Sequence, residues 1–581
     1  MGTISDKLMR VINTKEDIRQ ALISKGYDVP TSIPFKEYVK MILDLPCKAD
    51  SFPDIEGIVA RYSASGLTNE QMAANPVWVD KTGNGHDLQM KNFAWGGMSG
   101  VGGYEMNFNL WTNNVPSIPD ISMSTTTTSV SVSVRNSTYN NNLIYIHMNN
   151  WDINKNHWLK VTSTYEDGDL VFKFYNDNNS KNIELPANGY VNIPAYPEFK
   201  GNYMYISTTS NKQGSFTIEQ LPLYPGALVF DGVDDYGVCD NFPILTKEKG
   251  YTVVALRQWL SFQDIGYPTL VVNSTDRLAA FSFEDFRNKT KSTWNWGKSV
   301  GLSDYKIPLL YTYQTSTSYN SKTISAGATE EGSNILQVCR SGFYCANAAI
   351  WEIVILDHDA TEEELTKIKD YFVKTYPWLF PDQAWTVVGK TNEDEDRATI
   401  ANITGNGNDL VLSNFGFAEG SGYNEEGEYA GYLVTDGVDD EVRSAAFTLN
   451  KDWTIVGNWE FITNENKNAG LTKVYSFYLY NRDYGIFVYK YINAGQGFSV
   501  KDVKSLKAIC SDGRIYLNDW QEIRNNIEQE ATISKGVMAI GYFNRDFTKV
   551  AFKNLGIYNN QLLSKDDCIK AYNYLQTLKS K

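Results

Sequence analysis

The pentapeptide Asp-Gly-Val-Asp-Asp occurs twice, at 231–235 and at 436–440. The surroundings match as well, since Leu228-Val-Phe-Asp-Gly-Val-Asp-Asp-Tyr236 aligns with Leu433-Val-Thr-Asp-Gly-Val-Asp-Asp-Glu441. Upstream, Thr82-Gly-Asn-Gly-His-Asp-Leu88 has its counterpart in Thr404-Gly-Asn-Gly-Asn-Asp-Leu410. Downstream, Tyr251-Thr-Val-Val254 matches Trp453-Thr-Ile-Val456. A fixed order of signals repeated along a chain means duplicated domains, and this restricts the fold more than any single motif. The glycines of both Gly-Asn-Gly runs supply the positive φ of a tight turn, and Asp87 and Asp409 cap it as the next strand begins.

The two copies differ in length at one place. Tyr423 precedes Asp436 by 13 positions, whereas Tyr104 precedes Asp231 by 127, so the first copy carries about 114 extra residues. An insertion of that length is a domain in its own right. It contains Ser129-Val-Ser-Val-Ser-Val134, a strict period-two strand. Further strands are expected at 158–163, 170–175, 203–207 and 216–221. Each copy closes with an apolar strand and one helix. In copy one Thr361-Glu-Glu-Glu364 reads as a capping box, with Leu365, Ile368, Tyr371 and Phe372 on one face. In copy two the helix starts at Ser564 and turns Cys568, Ala571, Tyr572 and Leu575 inward. The expected organisation is a helical segment at 1–50, one sandwich from 51–107 plus 226–380, an inserted sandwich at 108–225, and a second copy at 384–581.

The first 46 residues have another character. Thr14-Lys-Glu-Asp17 starts a helix that Gly26 ends, and a second helix over 33–45 stops at Pro46. So short a pair cannot bury both apolar stripes internally, so it is expected to need either the next domain or another molecule, in the latter case to anchor the chain to a scaffold or to oligomerise it. The remaining chain, with 37 Tyr, 27 Phe and 14 Trp and many short alternating runs, reads as all-β. A net charge of −15, with no basic cluster, argues against nucleic-acid binding. No apolar run is long enough to span a membrane, and the N-terminus shows neither a signal peptide nor a myristoylation pattern. The six cysteines have no Cys-x-x-Cys spacing and are expected to be buried free thiols.

Phe230-Asp-Gly-Val-Asp-Asp-Tyr236, Tyr251-Thr-Val-Val254 and Ile557-Tyr-Asn-Asn-Gln-Leu-Leu-Ser564 resemble the concanavalin A-like, laminin-G-type jelly roll over residues 55–107, 226–380 and 384–578. The resemblance implies a mainly β fold, with two such sandwiches, but fixes no function, because the fold hosts lectins, hydrolases and adhesion modules alike. Val11-Ile-Asn-Thr-Lys-Glu-Asp-Ile-Arg-Gln-Ala-Leu22 before Pro34-Phe-Lys-Glu-Tyr38 resembles the start of fibre-type structural proteins of gut-bacterial, crAss-like tailed phages. That likeness implies attachment to capsid or tail through residues 1–46, with the β domains projecting outward.

No catalytic constellation emerges. The Glu-x-Asp-x-x-Glu strand of concanavalin-like glucanases, which would set an acid/base and a nucleophile on one face, is absent from the sequence. Glu393-Asp-Glu-Asp396 reads as a solvated loop, and Glu362 to Glu364 as carboxylates placed against a helix dipole. Asp231, Asp234 and Asp235, with Asp436, Asp439 and Asp440, could hold Ca²⁺; shaping a turn through their own backbone is the better reading. The four histidines, His86, His147, His157 and His358, suggest no metal or triad. His86 becomes Asn408 in copy two, so the fold does not need it, and His147 and His157 are expected at exposed positions. Trp95, Trp111, Trp151, Trp158, Trp294 and Trp296 lie near expected loops, where aromatic rings could stack on sugars, though most tryptophans are expected in cores.

The expectation is a non-enzymatic virion surface protein, a head- or tail-fibre-like component. It would be assembled onto particles in the host cytoplasm and be homo-oligomeric, with other virion proteins as partners. It would need no cofactor and attach weakly but multivalently to host glycans. The alternatives are a virion-associated carbohydrate-active hydrolase and a purely structural decoration or spacer.

Overall fold

The computed structural model describes residues 52–113, 121–134, 157–175, 213–245, 250–261, 334–427, 429–462, 505–517 and 549–578 continuously, together with the individual strands and short stretches between them. The helices expected before residue 50 lie outside the described residues. The chain is mainly β, and its sheets pair antiparallel throughout the described strands. None of its described helices is long and apolar enough to cross a membrane.

Residues 1–56 with 363–371 form one unit, and 57–362 with 372–581 form another. Within the first, the Phe52 ring meets the Tyr371 ring edge-on at 4.8 Å. Lys367 and Glu363 make an i,i+4 pair at 2.8 Å.

The second unit holds both copies, and their sheets share a common strand order, which Arg514–Leu517 and Glu522–Arg524 extend at one edge in copy two. In copy one the first sheet runs Leu309–Gln314, Thr252–Ser261, Asn347–Leu356, Leu228–Asp231 and Gly100–Val101, with Ile58–Ser63 also pairing with Asn347–Leu356. In copy two the same order is Ser505–Cys510, Trp453–Phe461, Val550–Asn559, Tyr432–Val434 and Gly422–Asn424, with Gln383–Thr386 in the place of Ile58–Ser63. The facing sheets match too. Val77–Trp78, Leu88–Lys91, Tyr236–Cys239, Leu336–Val338 and Thr269–Val272 are neighbours in copy one. Thr399–Ile400, Leu410–Ser413, Glu441–Leu449, Ile533–Ile540 and Gly470–Val474 are neighbours in copy two. Each pair of sheets is a jelly-roll sandwich around one core, with Trp78, Phe230 and Trp259 in the first and Trp385, Trp459 and Phe552 in the second.

Alternation explains the strands. Leu88–Lys91 and Leu410–Ser413 both bury their first and third residues and expose the others, as strands covered on one side must. The terminal helix Lys565–Thr577 starts at Ser564, whose hydroxyl accepts from the Asp567 amide at 3.1 Å. Its inward residues Cys568, Ala571, Tyr572 and Leu575 are all buried, as their spacing predicts.

The insertion forms its own small sandwich. Five strands run Asn188–Ile193, His157–Ser163, Gly214–Gln220, Ser129–Val134 and Ile121–Thr125, and three more run Lys181–Leu185, Leu170–Tyr175 and Tyr203–Thr208. In Ser129–Val134 every valine is buried and the serines are only partly so. Its core contains Phe108, Trp111, Trp151, Phe172 and Phe174. The chain's entry and exit are tied together: the Gln220 amide accepts from Met106 N at 3.1 Å and donates to Met106 O at 2.5 Å, while Leu223 N and Tyr224 N bond Gly103 O and Gly102 O.

Candidate functional site

The repeated pentapeptide joins the two sheets of each jelly roll, linking Leu228–Asp231 to Tyr236–Cys239 and Tyr432–Val434 to Glu441–Leu449, and the two loops have the same internal wiring. Asp231 Oδ1 accepts from the amides of Val233 and Asp234, as Asp436 Oδ1 does from Val438 and Asp439. Asp235 Oδ2 accepts from Asp231 N at 3.0 Å, and Asp440 Oδ2 from Asp436 N at 2.7 Å. The other oxygen of each takes a serine hydroxyl at 3.0 Å, from Ser99 in copy one and Ser421 in copy two. Those hydroxyls in turn accept from Ala94 N and Gly416 N. Finally the side-chain amides of Asn92 and Asn414 donate to Asp234 O and Asp439 O. The aspartates therefore build the loop and pin it to the strand behind it.

The same network sets the electrostatics. Burial pushes the Asp235 carboxyl up to about 7, against the pull of the Asp231 amide and the Ser99 hydroxyl. Asp440 rises to about 6 for the same reason. Carboxylate oxygens from the three aspartates of each loop lie within 4.8 Å of one another, a donor set of the kind hard cations such as Ca²⁺ prefer. Three of those oxygens already accept protein N–H or O–H groups, however. What remains free in copy one, Asp231 Oδ2 and the Asp234 carboxylate, falls short of the six to eight oxygens typical of calcium. The wiring suits a turn better than an ion.

What each loop presents outward is apolar. Val233 is 73% exposed and Val438 71% exposed, at equivalent tips. Beside the first loop, the hairpin Arg340–Ser341 to Tyr344–Cys345 carries Phe343, 93% exposed. Arg340 lies over the Tyr236 ring at 4.1 Å and its Nε donates to Gly342 O, which fixes the hairpin against the loop. This end of copy one thus combines a projecting phenyl ring, an aliphatic tip, a stacked guanidinium and the exposed Asp234. No local sequence rule marks Phe343; only the hairpin geometry brings it out.

The other expected positions resolve as follows. Glu393–Asp396 is a turn, in which Asp394 caps Thr391 through its amide and hydroxyl and Asp396 pairs with Lys390 at 2.7 Å. His86 and Asn408 contribute the same group, a backbone carbonyl, which accepts from Tyr62 Oη at 2.6 Å and from Trp385 Nε1 at 2.9 Å. His157 corrects the expectation of exposure: it is 3% exposed, packed at a tilt against Trp151 with the ring centroids 4.2 Å apart, and bonded to Asp152 O at 2.7 Å. The imidazole fills the insert's aromatic core. His147 lies on the short strand Ile146–His147, and His358 sits 3.3 Å from Asp357 Oδ1. Trp111 and Trp151 are core residues; Trp95 stacks on Phe93 at 4.6 Å. Trp294 lies on strand Ser292–Asn295, and Trp296 lies outside the described residues. Cys239, Cys339, Cys345, Cys510 and Cys568 are buried free thiols, and Cys47 lies outside the described residues.

No family model matches the chain, and no curated protein does. Among solved structures, domain 4 of AbnA, a GH43 extracellular arabinanase from Geobacillus stearothermophilus in complex with arabinotriose, is 12% identical at TM-score 0.22 and covers 33% of this chain and 100% of its own. A Trypanosoma rangeli sialidase is 9% identical at TM-score 0.26, covering 79% of this chain and 84% of that one. A botulinum neurotoxin type C structure is 10% identical at TM-score 0.21, covering 56% and 87%. Likenesses this weak carry no inference about the chain.

Proposed function

We propose that this chain is a non-enzymatic virion surface protein, a head- or tail-fibre-like component whose β-sandwich domains attach weakly and multivalently to host-surface glycans. One observation carries the binding role. Two jelly rolls hold the same rigid, fully wired loop, and each uses it to project an apolar tip, Val233 or Val438, with Phe343 alongside the first. Within these loops the carboxylates of Asp231, Asp235, Asp436 and Asp440 are engaged by backbone amides and serine hydroxyls. Rigid tips with little area each suit weak contacts, which become effective through copy number on one particle. The virion setting is supported by the sequence resemblance of residues 1–46.

The test is a glycan array probed with the purified chain, alone and clustered on a multivalent support. Clustered chain should bind a subset of glycans and Phe343→Ala should weaken that binding. Absence of binding in both forms would leave the spacer role. Release of reducing ends from a bound polysaccharide would overturn the non-enzymatic reading.

A further inference from the structure

The outer face of the second jelly roll carries a group of buried polar residues unrelated to the loops. Strand Trp453–Phe461 turns Trp459 into the core, so Asn458 and Glu460 face outward. On both sides of this stretch the pairing slips by a residue. Asn458 pairs with Asn554 but Trp459 with Phe552, which leaves Lys553 as the extra residue of a bulge. On the other flank, in strand Ser505–Cys510, Leu506 pairs with Leu517 but Ala508 with Tyr516, which leaves Lys507 as the extra residue of a bulge against strand Arg514–Leu517. Bulges re-aim side chains and recur beside functional sites. Here two of them deliver two lysines to one face.

Among the described residues neither ammonium has an ion pair. Lys507 is 5% exposed, and its Nζ donates to the Tyr572 hydroxyl at 3.1 Å. It also lies 4.7 Å from the Tyr572 ring centroid and 5.3 Å from that of Trp158, which the inserted sandwich contributes. The half-buried Lys553 lies 5.3 Å over the ring of Tyr432, whose hydroxyl accepts from Asn458 Nδ2 at 3.0 Å. That bond orients the Asn458 amide and leaves its Oδ1, in a residue 4% exposed, as a buried acceptor with no hydrogen-bond partner. A buried cation without a counter-ion, a half-buried one beside it and an orphaned buried acceptor are costly, and together they call for a ligand that brings an anion and a hydroxyl. Trp158 adds an aromatic face beside them.

We propose that this face is a binding site for an acidic sugar, with Lys507 and Lys553 taking its carboxylate, Asn458 Oδ1 accepting from a ring hydroxyl and Trp158 packing against the ring. The choice of a sugar rests on the proposed function; the anion is read from the lysines themselves. Copy one shows that the site is not a by-product of the fold. It has the same bulge, between Leu256 and Arg257, but the residue there is Trp351, which is buried and donates to Pro225 O.

The charged groups around Lys507 set the pH behaviour. Burial pulls its amine down to about 8; Glu460 on the neighbouring strand opposes this and Lys553 adds to it. Burial also lowers Lys553. From the insert, Lys160 is tied to Glu219 at 3.1 Å. Since the anion needs the ammonium form, affinity should fall as pH passes about 8.

The experiment is calorimetric titration of the full chain with glucuronate, N-acetylneuraminate, inorganic phosphate and methyl glucoside. At pH 7 at least one sugar acid should bind, with the neutral glucoside silent, and affinity should drop on the order of tenfold by pH 9. Lys507→Met and Lys553→Met should each weaken binding by roughly tenfold or more. Lys507→Met should keep or raise the melting temperature, because it removes a buried charge, so lost binding cannot be ascribed to unfolding. Trp158→Ala should weaken the sugar acids and leave phosphate unchanged. No binding of either sugar acid, or unchanged binding in Lys507→Met, would overturn the site. Because the glycan array reads the loop tips through Phe343→Ala, failure here and failure there are separable.

Discussion

The two jelly rolls share a backbone down to individual torsions, yet they fill one buried position in opposite ways. At Gly100 and Gly422, φ is +149° and +154°, and a Cβ would lie 2.4 Å from Asn69 Oδ1 or 2.5 Å from Asn392 Oδ1. Asn92 and Asn414 are both at φ 68°. Thr252 and Thr454 both donate to a carbonyl after the closing strand and accept an amide two residues further on. Between the sheet and its cover, however, copy one buries Arg61 against Glu352 at 2.6 Å, with Tyr376 Oη on the second carboxylate oxygen at 2.9 Å. Copy two has Ala384 and Asn554 at those places, the latter bonded to Leu575 O and Gln576. Duplication preserved what the backbone requires and let the interior charges drift. A lysine at one bulge of copy two, where copy one has tryptophan, belongs to the same drift.

Exchanging residues between copies breaks or sharpens this comparison. The largest effect is expected at Glu352→Ala, which strands Arg61 and should cost about 3–5 kcal/mol in denaturant unfolding. The double variant Arg61→Ala with Glu352→Asn, copying the second jelly roll, should recover most of that loss; if it does not, the positions are not equivalent. Gly100→Ala and Gly422→Ala come next, each destabilising by about 1–3 kcal/mol, and their costs should agree within about 0.5 kcal/mol.

Smaller still is the pH term of the loops. The Asp235 carboxyl is raised from its ordinary value to about 7, so the folded state holds a proton that the unfolded state releases near pH 4. That contribution is complete below about pH 4 and is lost as pH rises towards 7. For Asp440 the loss is complete near 6. Asp235→Asn should flatten unfolding free energy over that window by on the order of 1–2 kcal/mol, and Asp440→Asn by less. The smallest effect is expected at His86→Asn, within about 0.5 kcal/mol, because only the carbonyl of that residue holds Tyr62.

Much of the fold was legible in the sequence because its signals are local. Alternation located Ser129–Val134 and Leu170–Tyr175 with their observed ends, Gly-Asn-Gly located the turns, and spacing oriented the terminal helix. The turn-building part of the loop aspartates was legible for the same reason, since Asp231 and Asp436 bond amides two and three residues on, whereas the Ser99 hydroxyl on Asp235 comes from 136 positions away. What stayed hidden depends on distant pairing. Arg61 and Glu352 are 291 positions apart, and no periodicity links them. Lys507 and Lys553 look like ordinary surface lysines until two register slips are known. His157 reads as exposed from its polar neighbours and proves to be core because Trp151 folds over it.

The tied neck of the inserted sandwich has a consequence for how such chains diversify. Because Met106 and Gln220 clasp each other and Gly102 and Gly103 bind Tyr224 and Leu223, the host domain sees two ends already held side by side, whatever is threaded between them. The loop-closure cost is met at the neck and grows only slowly with what lies beyond. The neck therefore acts as a socket: residues 107–219 can be exchanged for another compact module with adjacent termini, and the first jelly roll should fold around the new cargo unchanged.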